Sequence, residues 1–227
     1  MPFKELQNLD ELNRGIDKHW IWNNKNYECA CDYIQKINYN IQDLNQEIQL
    51  NLNEPSRKDI VFTIVLIDWI CEAVDSIFNL LKPDVKRYLN ISKSEELKQS
   101  MKYFKAIRSF VVAHPLNTTR HEMFGLDGDF ICVDIFRNAD TVTSCLTKQY
   151  DWFLIDMNGL HNNAKDLNGD FVLYVYSQNI NGMKFFQYIK VRLEDLLTVA
   201  SLQIERLYQL DKKLSNVTKK KVYNTNE

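Results

Sequence analysis

The chain has 227 residues, of which 45% are hydrophobic and 12% aromatic, and it contains only 6 glycines and 4 prolines. So few chain-breaking residues favour long regular elements and exclude a turn-dense all-β barrel, a collagenous repeat and a Gly/Ser-rich linker protein. The 28 basic and 30 acidic side chains nearly cancel, so no overall electric field selects nucleic acid or an anionic membrane as partner.

The length fits a single domain with a sizeable hydrophobic core. The longest apolar run, residues 60–67, is too short to span a bilayer, and the first residues lack the apolar stretch of a signal peptide. The 5 cysteines are odd in number and scattered, which is typical of reduced thiols. We therefore expect a cytoplasmic protein with no membrane partner, no metal and no other cofactor.

The first half of the chain predicts four helices, because its apolar residues recur every three or four positions. The first helix spans residues 3–20, with a stripe formed by Phe3, Leu6, Leu9, Leu12, Ile16 and Trp20. The second carries a narrower seam of Tyr27, Ala30, Ile34, Ile37, Ile41, Leu44 and Ile48. This seam fits either an oligomer contact or, more simply, the core edge of an internal helix pair.

The third helix is apolar on several sides and is expected to lie centrally in the bundle. It begins near Asn53 and Pro55 and ends before Pro83. The fourth begins at a capping box, Ser92-x-x-Glu95, and ends before Pro115.

The second half changes to a period of two, which predicts strands at residues 129–136, 152–156, 171–176 and 185–191. Asn-Gly pairs between them suit tight turns, and residues 171–191 predict a hairpin. The helical period then returns from Leu193, which predicts a C-terminal helix.

These elements predict an α+β fold that is mainly α. A bundle of four to five helices carries a small antiparallel β-sheet, inserted between the fourth helix and the C-terminal helix. We expect one domain, 1–214, with the bundle at 3–115 and 192–214 and the β-rich insertion at 126–191. Residues 215–227 are expected to form a flexible tail.

An arginine and a histidine stand six positions apart where the fourth helix ends, at Arg108 and His114. In the plainest interpretation, a cationic His114 interacts favourably with the helix dipole and Arg108 is an ordinary flank residue. The spacing also resembles the R-x4–6-H motif of the HEPN superfamily, whose members are helical-bundle proteins of prokaryotic toxin–antitoxin and phage-defence systems. The resemblance covers the motif and the order of the helices before it, and it implies a metal-independent ribonuclease.

In such a site a histidine transfers the protons and an arginine stabilises charge on the phosphoryl oxygens. On an ideal α-helix, however, side chains six positions apart point about 120° away from each other. Either His114 therefore leaves helical geometry before Pro115, or two chains form a composite site. The resemblance implies the second arrangement, a homodimer.

Further polar residues could support this site. Asp68 and Glu72 belong to a polar stripe on the third helix, which is either its solvent face or the source of a carboxylate that orients Arg108. Ser109 stands where active HEPN proteins often have Asn, Asp or His. The residues that could contact RNA phosphates, or simply form solvated faces, are Lys98, Lys102, Lys105 and Arg120.

Two functions follow from the resemblance. The first is a metal-independent endoribonuclease with Arg108 and His114 as catalytic residues, Asp68, Glu72 and Ser109 in support, and RNA as substrate. The second is a catalytically inactive HEPN-like module that binds an antitoxin or another protein partner, which the serine at position 109 favours.

Overall fold

The computed structural model describes residues 3–12, 15–16, 24–81, 89–113, 130–136, 148–151, 169–178 and 184–216. Four helices and four strands are described in these ranges. They are α1 (Asn24–Leu50), α2 (Arg57–Leu80), α3 (Glu95–Arg108), β1 (Phe130–Phe136), β2 (Lys148–Asp151), β3 (Phe171–Gln178), β4 (Lys184–Val191) and α4 (Leu193–Asn216). The prediction of a mainly helical bundle is confirmed. No described helix combines the length and the apolar character needed to cross a membrane.

The helix predicted at residues 3–20 is wrong for its first half, because residues 3–12 form an irregular segment. Leu6 donates its backbone N–H to Asn45 Oδ1 at 2.7 Å and accepts a hydrogen bond from Asn45 Nδ2 at 3.0 Å. The Asn8 side chain accepts from the Asp10 N–H at 3.2 Å, which stabilises a local turn. Leu6 and Leu9 are buried all the same. The stripe thus marks the core contacts of a loop, and Trp20 lies outside the described residues.

Helix α1 buries its seam inside this chain, against α2. The fully or nearly fully buried members are Ala30, Ile37, Ile41, Leu44 and Ile48. The interpretation as an internal helix pair is therefore the correct one of the two, and the seam is not free for a second copy.

Helix α2 lies centrally and contacts α1, α3 and α4. It begins at Arg57 behind the N-cap Ser56, whose hydroxyl accepts from the Asp59 N–H while the Asp59 carboxylate accepts from the Ser56 N–H. This reciprocal capping box stabilises the first turn. The apolar run of the sequence becomes its core face, with Ile60, Ile64 and Ile67 fully buried.

Helix α3 begins two residues later than predicted. Its N-cap is Ser94, not Ser92, and the Ser94 hydroxyl accepts from the Leu97 N–H at 3.1 Å. Lys93, which the predicted capping box would place in the helix, precedes it and reaches Asp75 on α2.

The four strands form one sheet in the order β1-β3-β4-β2. β1 pairs antiparallel with β3, and β3 with β4, but β2 pairs parallel with β4. The sheet is therefore mixed, which corrects the antiparallel prediction. β2 follows β1 in the chain yet lies at the opposite edge of the sheet, where it runs parallel to β1. The strand predicted at 152–156 lies outside the described residues.

The sheet and the helices share one hydrophobic core. Phe171, Leu173 and Val191 are fully buried in the same cluster as the bundle residues. Asp170 joins the two parts, because its Oδ2 accepts a hydrogen bond of 2.7 Å from the Leu193 N–H at the start of α4. Helix α4 continues through Asn216, two residues into the predicted tail, and residues 217–227 are not described.

Candidate functional site

The backbone changes geometry at the motif arginine. Helix α3 ends at Arg108 and continues as a π-helical turn, Ser109–Ala113, which places Phe110 and Val111 in the core. π-turns within helices occur frequently at functional sites. Because the chain leaves α geometry directly after Arg108, the angle of about 120° expected for an ideal α-helix does not apply here. His114 and Arg120 lie outside the described residues.

Arg108 forms an ion pair with Asp68 on α2. The Nε atom of Arg108 lies 2.9 Å from Asp68 Oδ2, and the side chains are 39% and 15% exposed. Nε has no hydrogen-bond acceptor among the described residues, so its contact with Asp68 is an ion pair whose N–H bond does not point at the carboxylate oxygen. Of the two carboxylates that the sequence offered, the packing selects Asp68, and Glu72 is exposed one turn further along α2.

The electrostatic state of Asp68 depends on this partner. Burial raises the pKa of the Asp68 carboxyl above its usual value, and the charge of Arg108 opposes that rise without cancelling it. The contact uses Nε, and within the described ranges the two terminal amino groups of Arg108 have no acceptor. A guanidinium in this arrangement suits a planar or tetrahedral anion.

Arg108 and Asp68 line an open cleft of about 660 Å³ between α2, α3 and the π-turn. Its lining consists of Asp68, Cys71, Glu72, Asp75, Ser76, Met101, Phe104, Lys105, Arg108, Ser109 and Ala113. The cleft therefore collects the predicted residues Asp68, Glu72, Lys105, Arg108 and Ser109 into one place. Among these described residues, two cationic side chains face three carboxylates.

The cysteine in this cleft is not a nucleophile. Cys71 is buried, and burial together with the nearby carboxylates strongly raises the pKa of its thiol. A thiol of this kind stays protonated at neutral pH and is chemically inert.

The lysines predicted to contact RNA phosphates do not all lie at the cleft. Lys98, Lys102 and Lys105 are all exposed on α3, but of the three only Lys105 lines the cleft. Lys98 Nζ lies 3.1 Å from Glu95 one turn earlier, in an exposed ion pair. Such pairs contribute little to stability.

At the far end of the cleft, Asp75 is held by two cations that sequence reasoning missed. Lys93 Nζ lies 2.7 Å from Asp75 Oδ2, and Arg206 Nη1 lies 2.7 Å from Asp75 Oδ1. Burial alone would raise the pKa of Asp75, but the hydrogen bonds from Lys93 and Arg206 outweigh it and hold the pKa below its usual value. One signal was available: Gln203, which contacts Arg206, interrupts the apolar stripe of α4 and is fully buried.

Within the described ranges, no group of three or more His, Cys, Asp or Glu side chains could hold a metal ion. Comparison of the chain with protein-family models, with curated proteins and with solved structures finds no match.

Proposed function

We propose that this protein is a metal-independent, HEPN-like endoribonuclease of a prokaryotic defence or toxin–antitoxin system, with the α2–α3 cleft as its active site. The observation that supports this most is the ion pair of Arg108 with Asp68 in an open cleft. Arg108 stands six positions before His114 in the sequence. A carboxylate that holds Nε leaves the rest of the guanidinium for a phosphoryl oxygen.

The chemistry requires two proton transfers and one stabilised charge. His114 accepts the proton of the ribose 2′-hydroxyl, whose oxygen then forms a bond to phosphorus while the bond from phosphorus to the 5′-oxygen breaks. The leaving 5′-oxygen receives a proton from an imidazolium, and a 2′,3′-cyclic phosphate results. Arg108 stabilises the charge that develops on the phosphoryl oxygens. If the same His114 cannot serve both transfers, the histidine of a second copy supplies the other, as in a composite dimeric site.

In this proposal Asp68 is a positioning residue. It fixes the guanidinium of Arg108, and Lys105 and Ser109 contact the phosphate or sugar beside it. Lys98 and Lys102 lie outside the cleft lining, so a contribution from them is limited to long-range attraction of the strand.

The test is cleavage of a single-stranded RNA by the full chain in the presence of EDTA. We expect His114→Ala and Arg108→Ala to reduce the rate by about a hundredfold or more, the contribution that a general acid or base typically makes. The matched controls are His161→Ala, a histidine of another segment, and Lys58→Ala, an exposed cation at the start of α2. Equal, background-level cleavage by the wild type and His114→Ala would show that the proposal is wrong.

A second function is favoured by the charge of the cleft. Among the described residues that line the cleft, Asp68 and Glu72 offset Lys105 and Arg108, and Asp75 is already paired with Lys93 and Arg206, so the cleft has no excess of positive charge to attract a polyanion. On this basis the chain is a catalytically inactive HEPN-like module that binds a protein partner. It predicts no cleavage by any variant and no saturable binding of a single-stranded RNA by the wild type.

A further inference from the structure

A second, smaller cavity lies on the other side of Asp75. It has a volume of about 250 Å³, and its lining is Asp75, Phe78, Asn79, Ile91, Lys93 and Arg206. Asp75 lines both this cavity and the large cleft, so the two spaces are neighbours.

The charges of this cavity do not cancel. Among the described residues that line it, Lys93 and Arg206 face the carboxylate of Asp75, which leaves one positive charge in excess. Each oxygen of Asp75 engages one of the cations, so its carboxylate is saturated by strong contacts. The Lys93 ammonium has three N–H donors, of which one reaches Asp75 and one the Met101 sulfur at 3.3 Å. Among the residues that the structure describes, one N–H donor of Lys93 therefore has no acceptor.

Arg206 is held rigidly although it is a long side chain. Its guanidinium carbon lies 3.7 Å from the centre of the Phe78 ring, and Nη1 donates to both Asp75 and Gln203. The residue is only 8% exposed, and its Nε has no hydrogen-bond acceptor in the described part of the chain. Because the guanidinium is already fixed, little side-chain entropy is lost when one of its N–H donors binds an acceptor.

We propose that this cavity binds a phosphoryl group, with Lys93 and Arg206 as its cationic contacts and the Asn79 amide as a polar one. An excess of one positive charge matches the single negative charge of a phosphodiester. Lys93, Arg206 and Asn79 together offer more hydrogen-bond contacts than the two oxygens of a carboxylate ligand can use, which favours a phosphoryl ligand. The group comes either from the backbone of a nucleic acid strand in the neighbouring cleft or from a free phosphorylated small molecule. The inference does not require that the large cleft cleaves RNA.

The test is titration of the full chain with inorganic phosphate by calorimetry, at an ionic strength held constant with chloride. Lys93→Gln removes one cation but leaves the Arg206–Asp75 pair, and Arg206→Gln is a second variant. The control is Lys212→Gln, an exposed lysine on the same helix as Arg206. Circular dichroism of each variant establishes that it is folded, and if Arg206→Gln does not fold, Lys93→Gln decides.

We expect the Kd for phosphate to rise about tenfold or more in Lys93→Gln, the usual effect of losing a charge-assisted hydrogen bond, and to stay unchanged in Lys212→Gln. The inference is overturned if the wild type binds no phosphate saturably, or if Lys93→Gln binds it as tightly as the wild type.

Two further arms distinguish the sources of the phosphoryl group. A 2′-O-methyl RNA oligonucleotide cannot be cleaved at its blocked hydroxyls. If it competes with phosphate in the wild type and binds more weakly to Lys93→Gln, the site holds a strand phosphate. If uridine monophosphate competes and the oligonucleotide does not, the site holds a small molecule. Phosphate binding without RNA cleavage would refute the proposed nuclease and leave this inference standing.

Discussion

Gly15 lies directly against the backbone of α4. A Cβ atom at this position would be 1.8 Å from the Asp211 carbonyl oxygen and 2.5 Å from Ser215 Oγ. The next residue, Ile16, is buried and donates its N–H to Asp211 Oδ1 at 2.8 Å. The absence of a side chain at Gly15 therefore allows the N-terminal segment to dock on the C-terminal helix.

Replacing this glycine tests the contact. We expect Gly15→Ala to lower the free energy of unfolding by about 1–3 kcal/mol, because the blocking atom is backbone and cannot rotate away. Chemical denaturation measures the effect. Gln46→Ala, at an exposed helical position, is the control and should stay within about 0.5 kcal/mol of the wild type. An equal stability of the two variants would mean that the segment does not dock as described.

Individual site residues were only partly predictable. The spacing of Arg108 from His114 resembles a known motif, and Asp68 and Glu72 are the carboxylates on the third helix that could orient this arginine. The choice between Asp68 and Glu72 depends on which one faces α3, and sequence spacing does not contain that information. Lys93 and Arg206 were missed because their partner, Asp75, is distant from both in the chain.

At the scale of the element, α1 shows how periodicity and burial agree. Ile41 belongs to the seam and is fully buried, while Tyr39, two residues earlier, is 55% exposed. A heptad pattern predicts the buried face correctly, although it does not say which helix covers that face.

This pair of residues makes a matched experiment. We expect Ile41→Ala to cost about 2–5 kcal/mol of stability, since it leaves a cavity in a close-packed core. Tyr39→Ala should cost much less, within about 0.5 kcal/mol. Urea denaturation at two protein concentrations measures both effects. A midpoint that rises with protein concentration would instead support an oligomer seam.

The sequence predicted a helix that continues to Pro115, but its last described residues have a different geometry from the one expected. Residues 114–129 lie outside the described part of the chain. The π-turn at Ser109–Ala113 comes from packing, since it brings Phe110 and Val111 into the core beside β1 and α2. Local propensity does not encode such a turn, because the preference for it arises from neighbours that are distant in sequence.

At the scale of the whole molecule, Asp170 connects the sheet to the bundle. Its carboxylate accepts the Leu193 N–H, and its own N–H donates to the Val191 carbonyl at 2.8 Å. Burial raises the pKa of Asp170 above its usual value, and the hydrogen bond from Leu193 opposes this only in part. The folded state thus favours the neutral form of Asp170 more than the unfolded chain does. The resulting stability is full below the unfolded pKa and is lost as the pH rises through the folded pKa.

The sign of this linkage gives a prediction. Asn resembles the neutral acid and keeps an oxygen acceptor, so we expect Asp170→Asn to be at least as stable as the wild type at pH 7. That advantage should shrink toward pH 4, where the wild-type carboxyl is itself increasingly protonated. Asp170→Ala, which loses the acceptor, should lose about 1–2 kcal/mol. Denaturation at both pH values measures these differences. If Asp170→Asn loses as much as Asp170→Ala at pH 7, the negative charge at the helix start matters more than its burial.

The amino-acid sequence by itself determined the mainly helical class and the buried faces of α1, α2 and α4. These properties follow from the periodicity of the apolar residues, which acts within a few residues. Only the tertiary structure decided that residues 3–12 form a loop, that β2 pairs in parallel with β4, and that Asp68 and Asp75 each receive cations from distant elements. Hydrogen bonds and charges between remote segments determine these features, and no local pattern records which segments will meet.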